Sequence, residues 1–300
     1  MFVSVIIPTY NRSHLILSIL DALELQTFKD FEVVISNDGS TDNTVQIIRE
    51  NQAKYSFDIN ILDNKNGGRS IARNEGVRNA KGDLLVFFDD DVRPNPNCIQ
   101  LHVDFHEKHP NALLDGPALY DLEEVKTKGD FQWYRSNLEM SWYVKNDQPV
   151  KKERAGLVGA NKSMSKALFW EVGGLDEQLT DSEDFEFAFR AMHHYNYAIY
   201  FDYRTWVYHD DYKDFQQYLK RRMEANGSSK RLVRLFPEIL EYYSSKFIFK
   251  PSPWKQPFFN IFKTSFFRKL PTTSFFLNYF PQKIRYKLYD IIITANTLYN

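Results

Sequence analysis

The stretch LLVFFDDDV, residues 84 to 92, decides both the fold and the candidate site. Five apolar residues, the length of a short buried strand, are followed at once by three carboxylates. Adjacent negative charges repel one another and are costly to desolvate, so positive charge is expected nearby. Mn²⁺ or Mg²⁺ would supply it, because these ions bind through one or two carboxylates plus substrate phosphates. The alternative is an acidic cap on the next helix, whose dipole favours negative charge.

Apolar runs alternate with helical patterns on the N-terminal side of this stretch, which indicates an α/β fold. We expect a Rossmann-like, mostly parallel sheet with helices on both faces. The predicted strands cover 3–7, 31–36, 57–62 and 84–88. Two predicted helices cover 15–23 and 70–79. Another predicted helix is capped by Ser40 or Thr41, and a further one is opened by Pro94 and Pro96.

Polar residues follow three of these predicted strands, at Thr9–Arg12, Asn37–Ser40 and Asp89–Asp91. The carboxyl ends of parallel strands form the ligand-binding edge of such sheets, so a nucleotide site is expected there. Alternation along a strand predicts that Asp89 and Asp91 point to one side and Asp90 to the other.

Composition permits a large core and gives a first expectation of location. The chain has 300 residues, of which 43% are hydrophobic and 26% charged. The single cysteine, Cys98, cannot form an internal disulfide, which fits a reducing compartment. Neither a signal peptide nor an apolar run of about 18 residues is recognisable. We therefore expect a cytoplasmic protein.

Charge is spread unevenly. Residues 246–290 contain nine basic residues, one acidic residue and fourteen aromatic residues, although the net charge of the whole chain is only −1. This composition suits the surface of an anionic membrane, on the inner face of the cell membrane. The alternatives are aromatic packing against the core or against a second subunit, as in a homo-oligomer. A nucleic-acid partner would also suit such a composition.

Six motifs, in order, carry a family resemblance. They are VSVIIPTYNR (3–12), VVISNDGSTDNT (33–44), GGRSIARNEG (67–76), FFDDDV (87–92), VGGLDEQLTDSEDFEFAFR (172–190) and VYHD (207–210). Together they resemble the inverting family 2 glycosyltransferases of the GT-A fold. The resemblance implies a GT-A domain over 1–212, with a nucleotide-binding half at about 1–110 and an acceptor-binding half at about 111–212. A helical extension over 213–300 has no recognisable relative, and the resemblance argues against nucleic acid as a partner.

The resemblance implies a donor site for a nucleotide sugar. Thr9 and Asp38 match residues that contact uridine, and a carboxylate can accept from the uracil imide. Arg73 matches an arginine near the base, where its donors suit a uracil carbonyl. The simpler interpretations are a turn residue for Asp38 and a solvated helix charge for Arg73. The other residues expected to line the nucleotide are Pro8, Tyr10, Arg12, Gly68, Asp89 and Asp90.

The same resemblance implies a metal and a base. Asp91 and Asp89 match metal ligands, with Asp89 also reaching the ribose. His209 matches a histidine that completes the metal site, oriented by Asp210 or Asp211. Asp184 matches the catalytic base that accepts the acceptor proton, and Glu183 is expected to bind acceptor or orient the site. Both acids also suit a helix N-terminus beside Ser182.

The implied function is metal-dependent, inverting transfer of a sugar, most simply from a UDP-sugar, to a glycan or lipid-linked acceptor in surface polysaccharide or glycoconjugate synthesis. Aromatic residues between Tyr120 and Arg154 suit an acceptor site or simple packing onto the core. A sugar-1-phosphate nucleotidyltransferase is a second class, but PTYNRS lacks the glycine-rich loop expected there. A non-catalytic glycan-binding module is a third.

Overall fold

The computed structural model describes residues 1–248 and 252–299, so Lys250 of the basic set lies outside the described residues. Within them the chain forms eleven strands and fourteen α-helices. The strands are β1 Val3–Thr9, β2 Phe31–Asn37, β3 Asp58–Asp63, β4 Leu84–Phe88, β5 Val92–Pro94, β6 Ala112–Asp115, β7 Ala118–Leu119, β8 Val150–Lys151, β9 Asn161–Ser165, β10 Ala198–Phe201 and β11 Val207–His209.

The helices belong to two compact units, described separately below. Those of the first unit are α1 Ile16–Glu24, α2 Thr44–Asn51, α3 Arg69–Asn79, α4 Cys98–Lys108, α7 Lys166–Glu171 and α8 Glu183–His193. Those of the second are α5 Leu122–Lys128, α6 Asp130–Met140, α9 Phe215–Leu235, α10 Ile239–Phe247, α11 Gln256–Phe262, α12 Ser265–Lys269, α13 Ser274–Tyr279 and α14 Gln282–Thr297, although Met140 at the end of α6 is grouped with the first unit.

The first unit is built on an eight-stranded sheet in the order β3-β2-β1-β4-β9-β6-β10-β8. Strands β1 to β4 are mutually parallel, as the sequence predicts. Strand β9 runs antiparallel between β4 and β6, β10 is parallel to β6, and β8 is an antiparallel edge. The sheet is therefore mostly parallel, and the carboxyl end of β4 lies in its middle.

Helices cover both faces of this sheet, which explains why β1, β2 and β4 are continuous apolar runs. Val5 and Ile7 of β1 pack in one core with Ile19 and Leu23 of α1. Ile6 points the other way and meets α3, where a Cβ added to Gly76 would lie 2.6 Å from the Ile6 Cγ2 atom.

A small second sheet, in the order β5-β11-β7, corrects the prediction that Pro94 opens a helix. Pro94 instead ends β5, and α4 begins at Cys98. Strand β11 pairs antiparallel with β5, so that His209 lies opposite Val92. This pairing brings VYHD beside the three aspartates.

The predicted cap of the second helix was wrong. Helix α2 begins at Thr44 rather than next to Ser40 or Thr41. The Ser40 hydroxyl accepts from the backbone N–H of Asn11, and the Asp42 carboxylate accepts from the backbone N–H of Thr44. Ser40 therefore ties two loops together instead of starting a helix.

The second unit contains Leu122–Glu139 together with the residues from Asp211 onward. The sequence analysis had placed 122–139 in the acceptor half. In the structure Phe131 and Tyr134 of α6 are buried in one aromatic core with Phe215, Phe276 and Tyr289. For Tyr134 the structure thus favours packing over an acceptor role. Among the described helices, none is both long and apolar enough to cross a membrane.

Candidate active site

The loops that follow β1 and β2 are joined by hydrogen bonds at the carboxyl edge of the sheet. The backbone N–H of Asp38 donates to the Thr9 carbonyl at 2.8 Å. The Asn11 side chain accepts from the backbone N–H of Thr41 at 2.8 Å, and Asn11 has the left-handed φ of 53°. The polar loops after β1 and β2 therefore meet at this edge, as the sequence predicts. Thr9 is buried, Pro8 is half-buried and Tyr10 is exposed.

Asp38 closes the turn that starts α3. Its Oδ1 atom accepts from the backbone N–H groups of Gly67 at 2.7 Å and Gly68 at 3.1 Å. Gly68 has φ +95°, a conformation that glycine adopts without steric cost. These contacts support the turn role that the sequence left open for Asp38. Its contact with a nucleotide remains a prediction.

Asp90 and Asp91 both approach Arg12, because the chain leaves strand geometry after Phe88. The Asp90 Oδ1 atom accepts from Arg12 Nε at 3.1 Å, and Asp91 Oδ2 lies 3.8 Å from an Arg12 terminal nitrogen. Strand alternation therefore does not describe Asp90 and Asp91. Burial and the neighbouring Asp91 charge raise the pKa of Asp90 to about 6, although Arg12 opposes the shift.

Arg73 is buried at the centre of three carboxylates. Its terminal nitrogens lie 2.7 Å from Asp89 Oδ1, 2.6 Å from Glu183 Oε1 and 3.7 Å from Asp184 Oδ2. This is not the solvated helix charge that the sequence allowed. Both terminal nitrogens donate to carboxylates, and the contact of Arg73 with the nucleotide base remains a prediction.

The acids of this cluster have pKa values that are shifted in opposite directions. Burial opposes ionisation of Asp89, but Arg73, Arg69 and Lys162 outweigh it and lower its pKa to about 2. Glu183 is more deeply buried, and burial and the Asp184 charge raise its pKa. Asp89, which keeps part of its side chain exposed, is therefore the more strongly ionised of the two partners of Arg73.

Asp91 and His209 approach each other across the β5–β11 pair. The His209 Nε2 atom lies 3.3 Å from Asp91 Oδ1. This Oδ1 atom is buried and receives no hydrogen bond within residues 1–248 and 252–299. The backbone N–H of Asp210 donates to the Asp91 carbonyl at 2.8 Å, which fixes the two segments together. Arg93 binds the Asp210 carboxylate at 2.7 and 2.9 Å, and the orientation of His209 by Asp210 or Asp211 remains a prediction.

Asp184 stands in the first turn of α8, as the sequence predicts, with Ser182 as the N-cap residue. Ser182 has the left-handed φ of 68° and makes no side-chain cap bond. The Asp184 Oδ1 atom accepts from Lys162 Nζ at 2.5 Å. Burial opposes ionisation of Asp184, but Lys162 and Arg73 lower its pKa. The carboxylate is thus held ionised.

Lys162 is a site residue that the sequence analysis missed. It lies in β9 and is about as buried as Arg73, which is unusual for a lysine. A lysine in the polar strand NKSMS gave no signal of burial, because β9 pairs with β4, about 75 residues earlier in the sequence. The burial of Lys162 becomes apparent only from the central position of β9 in the sheet.

Comparison with known protein families identifies the family of this chain. Residues 4–173, more than half of the chain, match the model of Glycosyl transferase family 2. The chain belongs to this family.

Two relatives show how far the likeness extends along the chain. It is 30% identical over 268 residues to a validoxylamine A glucosyltransferase of Streptomyces hygroscopicus subsp. jinggangensis, covering 79% of this chain and 61% of that protein. It is 27% identical over 218 residues to a chondroitin synthase of Escherichia coli, covering 62% of this chain and 32% of that protein. The chain spans about three fifths or less of the length of these relatives.

Solved structures share its fold. S. aureus TarS (residues 1–349) in complex with UDP matches with a TM-score of 0.55 and 21% identity, covering 99% of this chain and 90% of that one. A mannosyltransferase from Pyrobaculum calidifontis in complex with GDP-Man and Mn²⁺ matches with a TM-score of 0.62 and 16% identity, covering 98% and 85%. The chain therefore has a GT-A-like fold.

Proposed function

We propose that the chain transfers a sugar from a nucleotide diphosphate, in the first instance UDP, to a hydroxyl group of a glycan or lipid-linked acceptor, with inversion at the anomeric carbon. The observation that carries this proposal is the pairing of two sites at one sheet edge. The aspartates after β4 form a candidate donor site, and Asp184 at the start of α8 is joined to it through Arg73.

A divalent cation is part of the proposal, and the residues at the end of β4 fit one. A buried carboxylate oxygen without a hydrogen-bond donor, as Asp91 Oδ1 is among the described residues, suits a cation. His209 Nε2, 3.3 Å away, offers a second ligand atom. No group of three or more His, Cys, Asp or Glu side chains is arranged for a metal within the described part of the chain. Two protein ligands are enough for Mn²⁺ or Mg²⁺ when substrate phosphates complete the shell.

Each side chain then has a defined task. Asp91 and His209 would hold the cation, which when bound offsets charge on the leaving diphosphate. Asp89, ionised and partly exposed, suits a ribose hydroxyl. Asp184 accepts the proton of the acceptor hydroxyl as that oxygen attacks the anomeric carbon. The new bond forms as the sugar–phosphate bond breaks on the opposite face.

The experiment compares the parent chain with Asp184→Asn. We expect the parent to release UDP from a UDP-sugar only when Mn²⁺ and an acceptor are present. Loss of the base should lower kcat by roughly 10²–10⁴-fold and leave UDP affinity nearly unchanged. Asp83→Asn is the matched control, since Asp83 is an exposed aspartate at the other end of β4.

The same assay separates the competing classes. Release of pyrophosphate from a sugar 1-phosphate and a nucleoside triphosphate would favour a nucleotidyltransferase. Binding of UDP without turnover on any acceptor would favour a non-catalytic module. Turnover by Asp184→Asn at the parental rate would overturn the assignment of the base.

We also propose that the second unit brings the enzyme to an anionic membrane surface, where lipid-linked acceptors reside. Its aromatic residues divide into two sets: one forms the buried core, and the other is exposed among basic residues. The exposed set includes Trp254 at 93%, Phe266 at 67% and Tyr279 at 75% exposure. Lys255, Lys269 and Lys283 are exposed in the same segments. Aromatic rings with lysines suit the interface of an anionic bilayer.

Liposome flotation tests this location. The parent chain should float with vesicles that contain anionic lipid and should float less with purely zwitterionic vesicles. The double variant Trp254→Ala/Phe266→Ala should lose most of the flotation. Trp142→Ala, which alters an exposed tryptophan of the first unit, should not. Equal flotation of the double variant and the parent would exclude this role.

A further inference from the structure

Lys162 carries a buried positive charge that none of the assignments above explains. Only 1% of the residue is exposed, and it lies in the central strand β9. Its ammonium group donates to the Gly159 carbonyl at 3.0 Å and to Asp184 Oδ1 at 2.5 Å. It also lies 5.2 Å from the centre of the Phe87 ring. A buried ammonium group is costly unless it is paired, so the Asp184 contact is the dominant one.

The two oxygens of Asp184 have different surroundings. Oδ1 accepts the Lys162 hydrogen bond, whereas Oδ2 accepts no hydrogen bond from the described residues and lies 3.7 Å from an Arg73 nitrogen. Oδ2 occupies space that Gly159 leaves open, since a Cβ there would come within 2.5 Å of it. The side chain is 15% exposed, so the carboxylate is reachable from solvent.

We infer that Lys162 is a positioning residue that holds Oδ1 of Asp184, so that Oδ2 is the atom that accepts the proton of the acceptor hydroxyl. Gly159 completes the arrangement by leaving room for Oδ2. The inference rests on the proposed role of Asp184 as base. The proton moves from the acceptor oxygen to Oδ2, while Lys162 keeps its own proton throughout.

Charge supports this division of roles. The charged groups that face Asp184 are Lys162 from β9, Arg73 from α3, Glu183 from its own helix and Asp89 from the end of β4. Lys162 is the cation in direct hydrogen-bond contact, so it contributes strongly to the lowered pKa of Asp184. Loss of its charge should make the carboxylate protonate at a higher pH.

The test is the pH dependence of kcat for Lys162→Met, which keeps chain length and removes the charge. We expect the acidic limb of the profile to move to higher pH and kcat at about pH 6 to fall at least about tenfold, with donor KM within about threefold of the parent. Lys162→Arg, which keeps the charge, should recover the position of the limb. A purely structural lysine would lower the amount of folded enzyme without moving the limb.

Gly159→Ala tests the role of Asp184 Oδ2 without changing any charge. Its Cβ should displace Oδ2 and lower kcat at least about tenfold, while UDP affinity in calorimetry stays within about threefold of the parent. Gly227→Ala in α9 is the control and should keep the parental kcat, because an added Cβ there has no neighbour within 4 Å in the described part of the chain.

The outcomes separate this inference from the function beneath it. An Asp184→Asn variant that keeps its activity would show that Asp184 is not the base. An inactive Asp184→Asn beside a Lys162→Met variant of parental kcat and parental pH profile would overturn only the role of Lys162. If Lys162→Met does not fold, parental kcat in Gly159→Ala would overturn the assignment of Oδ2.

Discussion

The guanidinium group of Arg73 lies 2.6 Å from the Glu183 carboxylate, and both side chains are almost completely buried. The two residues are 110 positions apart in the sequence, on α3 and α8. Because Arg73 also contacts Asp89, it links the end of β4 to the start of α8. The candidate donor site and the candidate base thus share one buried cation.

Removal of that cation should destabilise the fold. Arg73→Met leaves the buried Glu183 carboxylate without its partner, and breaking a buried ion pair in this way costs about 3–5 kcal/mol of unfolding free energy. Urea denaturation measures the loss. Arg78→Ala is the matched control on the same helix, because its pair with Glu75 is partly exposed to solvent and should contribute no more than about 1 kcal/mol. Equal stability of the two variants would contradict a buried ionic link.

The sequence predicted β1, β2 and β4 well, because strands buried on both faces are mostly apolar runs with polar residues at their ends. It also predicted that polar residues gather at one edge of the sheet, because the carboxyl ends of parallel strands meet there. Alternation failed at Asp90 and Asp91 because the strand stops at Phe88.

What the sequence could not show depends on pairings between distant segments. Strand β11 joins β5 across about 115 residues and brings His209 to Asp91, which the sequence analysis reached only through a family resemblance. The burial of Arg73 and Lys162 was likewise invisible, since a charged side chain is ordinarily expected at the surface. The family resemblance placed α6 in the acceptor-binding half, whereas its aromatic residues face a core formed with residues more than 80 positions later.

The Asp91–His209 pair predicts how nucleotide binding depends on metal. In Asp91→Ala, UDP affinity measured by calorimetry with Mn²⁺ should fall at least about tenfold, because one of two protein ligands is lost. Without Mn²⁺ the variant and the parent should bind UDP equally. Asp83→Asn should behave as the parent in both conditions. An equal effect of Mn²⁺ on Asp91→Ala and the parent would argue against a metal at this position.

Two buried histidines of α4 predict a loss of stability in acid. His102 and His106 each lie 2.7 Å from the Ser163 hydroxyl. Burial lowers the pKa of His102 to about 4, and burial with the neighbouring His102 lowers that of His106 to about 3. Below the ordinary pKa of 6.5 the unfolded chain binds protons that the folded chain does not, so stability falls as pH drops from about 6.5 towards about 4.

Each histidine should contribute up to about 1.4 kcal/mol of lost stability per pH unit in that range. Urea denaturation at several pH values measures the slope. His106→Gln should give a shallower slope than the parent, because one titrating group is gone. His14→Gln, at an exposed position, should keep the parental slope. Identical slopes in His106→Gln and the parent would mean that His106 is protonated in the folded state.

Substitution of glycine by alanine should have opposite effects on stability at two positions, Gly76 in α3 and Gly227 in α9. In Gly76→Ala the new Cβ would lie 2.6 Å from Ile6 Cγ2, and overpacking of a tight core costs about 1–3 kcal/mol of unfolding free energy. In Gly227→Ala no atom of the described residues lies within 4 Å of the new Cβ, and alanine in a helix interior is favoured over glycine by about 0.5–1 kcal/mol. Thermal denaturation should therefore give a lower Tm for the first variant and an equal or higher Tm for the second. A Tm for Gly76→Ala at or above the parental value would mean that α3 does not pack against β1 as closely as the structure shows, and that Arg73 on the same helix is free to shift.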